Sequence, residues 1–379
     1  DGSWKFPKGK RWGFFPSVSA AWRISQEEFF KNSSISNWLT NLKLRASYGE
    51  MGDDALTGYA DYAFLPGYTY DNGSYYFSSN PLSSTGSSYI LGTKSNGIPI
   101  TTLSWMTVKT MNVGIDLGFF NNRLTVEIDL YNKVTDGILY RPTIYQTAGT
   151  ATAPLQNIAE VTNKGVELTL GWRNQVNDFS YSVRGNIAYN HNRVSKYKGE
   201  LKEYWQDNPD GTRTFVSNLG DVSTGSSTRI LEGHTISEYY MLTPYSGNGT
   251  YFNGGTVDPN GGPKDGMIRT EKDMEWLNAM VAAGHSFRPQ QGVSKDKIWY
   301  GDYIYADQDG DGIYGNTYDN TFTGKSATPK YTFGFQASAA WKGFDIQMSW
   351  AGSAGFWLYW NSVGLTATGT RIGYNILSY

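Results

Sequence analysis

Residues Phe179–Asn190 read FSYSVRGNIAYN. Phe179, Tyr181, Val183, Ile187 and Tyr189 fall at every second position, and Ser180, Ser182, Arg184, Asn186 and Asn190 fall between them. Successive side chains of a strand point to opposite faces, so this period of two predicts one long strand with an apolar face and a polar face. The same alternation recurs as LTVEIDL at Leu124–Leu130, LKLRASY at Leu42–Tyr48, VELTLGW at Val166–Trp172 and FDIQMSW at Phe344–Trp350. Met111–Phe119 and Thr332–Trp341 continue it, with small residues such as Gly334, Ser338 and Ala340 on the second face. The pattern predicts strands at 13–24, 42–49, 105–119, 123–134, 165–174, 179–194, 331–341 and 344–352. Strands of about ten residues exceed the five or six usual in globular sheets. Alternation alone does not say which face is wet, because a soluble barrel with an apolar interior has the same period.

The connections decide between the two. Phe119 and Arg123 bracket Phe120-Asn121-Asn122, read as a tight turn at Asn121-Asn122, because Asn tolerates positive φ. Trp172 and Phe179 flank a short polar turn, and Trp341-Lys342-Gly343-Phe344 is another hairpin. The other links, 50–104, 135–164 and 195–330, are long and rich in Ser, Gly, Asn and Tyr. Short turns at one end, long loops at the other and aromatics beside the short turns are the parts of an outer-membrane barrel. Structureless links of that length are foreign to compact soluble domains. The reading is an all-β, transmembrane antiparallel β-barrel with long external loops. Residues 25–41 suggest a short helical turn on the short-turn side. Counting strand directions, 195–330 is one giant loop or hides an even number of strands, with His234–Tyr245 and Lys297–Tyr305 as the candidate pair.

Composition narrows the function classes. The 379 residues carry 32 basic and 34 acidic side chains, and a net charge of −2 offers no general attraction to nucleic acid. Charged residues are 17%, while Trp, Tyr and Phe number 13, 28 and 18, which excludes a disordered chain. No apolar run reaches the roughly 18 residues of a membrane helix. With no cysteine, disulfides, thiolate metal sites and a Cys nucleophile are excluded. Residues 1–10, DGSWKFPKGK, lack a signal-peptide pattern, and the GYNILSY ending at Tyr379 reads as a cut, so a partial chain is expected.

At this point the residues carry a family likeness. RWGFFPSVSAAWRIS at Arg11–Ser25, LKLRASYG at Leu42–Gly49, NVGID at Asn112–Asp116 leading into FNNRLT at Phe120–Thr125, and NKGVEL at Asn163–Leu168 resemble the SusC/RagA-like family of TonB-linked outer-membrane transporters. Gly301-Asp302, DQDGDGI at Asp307–Ile313 and PKYTFGF at Pro329–Phe335 keep that family's order. The resemblance implies a plugged barrel of roughly 22 strands, of which this chain is a carboxy-terminal portion without plug, TonB-contacting box or closing strands. It also implies TonB, a SusD-like lipoprotein acting as a lid on the external loops, oligosaccharide or peptide cargo, and outer-membrane lipid around the wall. The competing reading is an outer-membrane receptor or adhesin that binds a partner through its loops without transport.

The sharpest local motif is Asp307-x-Asp309-Gly310-Asp311-Gly312-Ile313. Carboxylates at alternate positions converge on one cation, Gly312 permits the sharp turn, and the Ile313 carbonyl supplies a further oxygen, as in the first seven positions of an EF-hand loop. Position twelve is Tyr318 rather than an acid, and Asp319 follows one place late as the candidate extra ligand. The expected cofactor is one structural calcium; the bland alternative is a solvated acidic turn.

Enzyme signatures are thin. His191, His234 and His285 are scattered, no nucleophile elbow or phosphate loop occurs, and Gly247-Asn248-Gly249 loses the dinucleotide pattern at Phe252. Acid pairs such as Glu27-Glu28 and Asp53-Asp54 sit on adjacent residues, which an extended strand turns apart. No enzyme activity and no catalytic residue is expected. The loop aromatics Tyr68, Tyr70, Tyr75, Tyr76, Trp205, Tyr239, Tyr240, Tyr251 and Phe252 suit either a ligand or a loop's own small core. Lys43, Arg45, Glu127, Asp129, Glu167 and Arg184 are assigned to the lumen.

Overall fold

The computed structural model describes residues 1–54, 64–65, 67–72, 91–95, 102–140, 156–288 and 298–358. The chain divides into two units. The first comprises residues 1–224, 231–235 and 329–355. Its framework is eight strands: β1 (Ser17–Trp22), β2 (Leu39–Asp53), β3 (Met106–Phe119), β4 (Leu124–Tyr140), β5 (Gln156–Val176), β6 (Phe179–Lys196), β7 (Tyr331–Trp341) and β8 (Phe344–Ala354). They form one sheet in chain order, and every neighbouring pair is antiparallel.

All eight predicted strands are present, and several run further. β4 reaches Tyr140 and β5 begins at Gln156, so the expected loop 135–164 narrows. Alternation of apolar residues fades beyond Val134, but backbone pairing does not need it, and the ladder continues through irregularities near Asp136, Ile138 and Leu139. The turn after β3 is wider than expected: Leu124 pairs with Phe119, and Phe120, Asn121 and Asn122 all take positive φ, at 54°, 58° and 60°. Val176 pairs with Phe179 across Asn177, whose φ is 52°. Trp341 pairs with Phe344 around Lys342 and Gly343, at φ 47° and 87°, the left-handed pair that matches the twist of a two-residue hairpin. A helical turn at Glu28–Lys31 lies between β1 and β2, as the sequence suggests.

The second unit contains residues 225–230, 236–328 and the chain after 355. The stretch 195–330 is therefore largely folded rather than one open loop. Glu238–Met241 is a strand, but it pairs with Thr228–Ile230 and Thr321–Ser326 and adds nothing to the barrel sheet. Within the second candidate, residues 298–305 make only the bridges Pro244 to Tyr305 and Met267 to Tyr303, and Lys297 lies outside the described residues. The proposed hidden strand pair is thus corrected. Four-residue strands are far short of the nine to eleven that cross a bilayer, and β6 pairs directly with β7.

Missed by the sequence reading is a helix, Glu271–Ala282. Its Thr270 cap accepts from the Asp273 N–H at 3.2 Å, while the Asp273 carboxylate accepts from the Thr270 N–H at 2.7 Å, a reciprocal cap. Trp276, Leu277 and Met280 are buried with Tyr245, Ile268, Ile304 and Tyr314 in this unit's own core. The Trp276 indole N–H donates to the Asp258 carbonyl at 2.8 Å, so the ring is buried without leaving its polar atom unpaired.

Candidate functional site

Register turns the sequence alternation into a two-faced wall. One row of directly paired residues runs Trp22, Leu44, Ile115, Ile128, Leu168, Ile187 and Phe333 across β1 to β7. Rows two residues away on either side are largely apolar, including Val126 and Leu170 toward the short turns, with Val183 a further two residues along, and Leu130, Val166 and Tyr189 toward the long connections. This face is open: Val183 is 38% exposed, Ile187 45% and Leu130 52%. An apolar surface spanning eight strands is far larger than a water-soluble monomer leaves uncovered. Aromatics bound the band. Trp38 stacks on Phe119 and Phe179 on Tyr181 at the short-turn end, each pair at 5.7 Å, and Tyr189 meets Tyr331 at 5.1 Å toward the other. Ten residues separate Phe179 from Tyr189, about 33 Å of strand, which a tilt of roughly 40° reduces to about 25 Å, the height of a barrel's apolar band.

The opposite face carries the assigned lumen charges, and they pair with one another. The Arg45 guanidinium donates to both Asp129 oxygens at 3.0 and 2.9 Å and to Asp116 at 2.8 Å. Arg45 and Asp129 lie on strands separated by β3, and the residue between them is Gly114. A Cβ there would lie 2.5 Å from Asp129 Oδ1 and 2.9 Å from Arg45 Cζ, so the missing side chain is what lets the pair meet. Lys43 lies 3.6 Å from Asp116, and Arg184 lies 3.7 Å from Glu127. Asp116 and Gly114 were not singled out from sequence, although polar-face parity marks both. Glu167 is exposed on this face.

The loop aromatics mostly pack within their own units. Trp205 meets Phe215 at 5.3 Å, Tyr240 meets Phe322 at 4.9 Å, and Tyr239 is buried. Tyr251 packs on the Trp276 core, Phe252 and Tyr68 are exposed, and the side chains of Tyr70, Tyr75 and Tyr76 lie outside the described residues.

Asp307, Asp309 and Asp311 converge, with one oxygen of each within 4.8 Å of the others. The backbone is wound to hold them. The Gly310 and Gly312 N–H groups donate to Asp307 at 2.7 and 2.9 Å, Asp311 N–H to Asp309 at 3.2 Å, and Ile313 N–H to Asp311 at 2.7 Å. The Gly312 and Tyr314 carbonyls accept from Ser286 and Arg288, so strand alternation turns the Ile313 carbonyl to the other side. Asp319 is not among the converging three. Fully buried, it accepts from the Gln308, Gly315 and Asn316 N–H groups at 2.7, 2.7 and 3.0 Å and braces the loop. Burial, with the Asp311 and Asp319 charges nearby, pushes the Asp309 carboxyl up to about 6. The donor set is all oxygen and carries no histidine, which suits a hard cation rather than zinc.

The profile described as TonB dependent receptor-like, beta-barrel matches residues 1–265. The chain belongs to this family. TonB-dependent receptor P3 of Formosa agariphila is 28% identical over 94% of this chain, and TonB-dependent receptor SusC of Bacteroides thetaiotaomicron is 29% identical over 71% of it. The chain spans 29% of the former's length and 24% of the latter's. The RagAB peptide importer in its closed-closed state superimposes over 94% of this chain and 31% of its own, with a TM-score of 0.59 at 22% identity, a likeness of fold. The wall is thus a TonB-dependent receptor-like β-barrel of a Gram-negative outer membrane. Val126, Ile128, Val183 and Ile187 lie on its apolar face.

Proposed function

We propose that the whole receptor imports oligosaccharides or peptides together with a SusD-like surface lipoprotein, drawing energy through TonB by segments outside this chain. The observation that carries the reading is where the folded mass sits in the topology. The three short turns share one end of the sheet, while the connections at the other end are long, and the one between β6 and β7 contains a unit with its own core around Trp276. A wall alone needs no such elaboration, whereas a lidded importer needs a shaped external surface. The RagAB peptide importer among the folds supports peptides as a cargo class, and oligosaccharides rest on the family resemblance alone. The relatives are TonB-dependent receptors, which supports reading the protein as a transporter rather than an enzyme.

Within that surface, Asp307, Asp309 and Asp311, with the Ile313 carbonyl, would hold one calcium ion, and Asp319 would fix the loop around it. The ion's contribution is charge neutralisation: three carboxylates this close repel one another unless a cation lies among them. The residues themselves set the ligand spacing through the backbone bonds described above.

The test is uptake of labelled maltooligosaccharides and of labelled peptides by cells carrying the full receptor. Uptake of one class that disappears on deleting TonB or the lipoprotein supports the reading. A receptor that binds ligand at the cell surface but accumulates none, with TonB and lipoprotein present, defeats import in favour of the receptor alternative.

A further inference from the structure

Just beyond the apolar band, the outward face of β5 and β6 changes character. Lys164 pairs directly with His191, and Thr162 with Arg193. These positions share the parity of Val166, Leu168, Tyr189 and Ile187, so they lie on the lipid side of the wall. Lys164, His191 and Arg193 are exposed. Diagonal neighbours on one face of an antiparallel pair are about 7–8 Å apart, so the three nitrogen-bearing side chains can reach a single anionic group. They line a concavity of about 450 Å³ with Thr162, Ser195 and Gly233. Two other cations at this end of the strands are neutralised, Lys109 by Asp136 at 3.4 Å and Lys196 by Glu160 at 2.8 Å. Among the described residues, Lys164, His191 and Arg193 form no ion pair.

Depth identifies the occupant. His191 lies two residues past Tyr189, whose ring meets Tyr331 in the upper aromatic border. Two residues are about 6.6 Å of strand, or about 5 Å of height at a barrel's tilt, which is headgroup level above an aromatic belt. We propose that Lys164, His191 and Arg193 bind a phosphate of an outer-leaflet glycolipid headgroup, whose acyl chains lie on the Val166, Leu130 and Tyr189 row below. Arg193 offers a planar fork matched to phosphate oxygens, and Lys164 a point charge. Glu200 and Glu232 also line the concavity, and Glu232 accepts from the Tyr197 N–H at 3.0 Å. Two carboxylates disfavour a free phosphate ion. A glycolipid is held additionally by its chains and presents sugar hydroxyls that carboxylates accept from. The inference rests on the lipid-facing wall and is independent of cargo and lid.

The experiment uses the full-length receptor in phosphatidylcholine nanodiscs containing bis-phosphorylated lipid A, with retention after mild delipidation counted by native mass spectrometry. One lipid A should be retained per wild-type barrel. A basic residue beside an anionic lipid surface is worth about fivefold in binding, so K164Q/R193Q should bind about thirtyfold more weakly. K164R/R193K should retain the lipid, and lipid A stripped of its phosphates should be lost from the wild type. Both substituted positions are exposed, and heat-modifiable migration on gels checks that the variants fold. Equal retention by K164Q/R193Q and wild type overturns the proposal, and so does equal retention of dephosphorylated lipid A. Complete displacement by millimolar inorganic phosphate would make the patch a soluble-anion site and overturn it as well. Should K164Q/R193Q fail to fold, the comparison of phosphorylated with dephosphorylated lipid A on the wild type still decides.

Discussion

Asp273 shows how one carboxylate holds the second unit together. Its oxygens accept from the Tyr251 hydroxyl at 2.7 Å, the Arg269 N–H at 3.0 Å and the Thr270 N–H at 2.7 Å, and the residue is only 3% exposed. Burial raises its pKa, but these bonds to the charged form outweigh it and leave the carboxyl below its ordinary value. Removing it costs a helix cap, about 1 kcal/mol, and orphans buried donors at about 1–3 kcal/mol. Asp273→Ala should therefore destabilise this unit by about 2–4 kcal/mol, read as faster proteolysis within residues 236–328 while the barrel strands stay protected. Because the folded pKa is depressed, the stabilisation is complete above the unfolded carboxylate value of about 3.9 and disappears as pH falls through the lower folded value. Pepsin cleavage of this unit should rise steeply below pH of about 4 in the wild type and less steeply in Asp273→Ala. The carboxylate loop has a separate test. Calcium at about 1 mM, enough to fill extracellular oxygen sites, should protect residues 298–326 from protease in the wild type and not in Asp309→Ala. Identical digestion with calcium and with chelator would remove the metal from the account.

At the scale of the strand, placing an arginine on the lipid face at the middle of the bilayer should cost roughly 2–4 kcal/mol. Val126→Arg and Ile128→Arg should show it as lowered folding stability in lipid vesicles, while Glu127→Arg, on the other face, should not. A matching loss for all three would mean the faces are misassigned. Gly114 makes the complementary prediction for the lumen side. Gly114→Val drives a Cβ between Arg45 and Asp129 and should separate them, lowering the thermal midpoint, with no added loss when Arg45→Met is combined with it. These elements also show what a sequence can disclose. The strands were legible because lipid on one side and charge on the other impose a strict period of two on Leu124–Leu130 and Phe179–Asn190. The three clustered aspartates were legible because their spacing is local. The Arg45, Asp116 and Asp129 network was not, since it depends on which strands become neighbours around Gly114. The helix Glu271–Ala282 escaped because its cap and apolar spacing lie inside a Gly- and Asn-rich stretch whose overall composition reads as loop.

The whole molecule has a division of labour that the chain path exposes. The Val194 N–H donates to the His234 carbonyl, and the Asn190 N–H to the Lys330 carbonyl, so the chain leaves and rejoins the wall beside the same strand, β6. Positions 190 and 194 are four residues apart, about 13 Å along a strand, a gap that a short Gly/Ser linker spans in place of residues 236–328. The core of that excised stretch, with Trp276, Ile268, Met280 and Ile304, is internal to it, and the wall draws its pairing from β1 to β8. Excision should therefore leave a full-length receptor that still assembles in the outer membrane, with heat-modifiable gel migration and an unaltered lipid-facing band. Residues 225–230 lose their strand partner Glu238–Met241 and should become protease-sensitive. If the external unit is the lipoprotein's seat, the excised receptor should no longer co-purify with its lipoprotein or support uptake. Retained co-purification with a correctly assembled barrel would move the seat to the other long connections. Failure to assemble at all would show that the wall depends on this unit and that the two cannot be assigned separate roles.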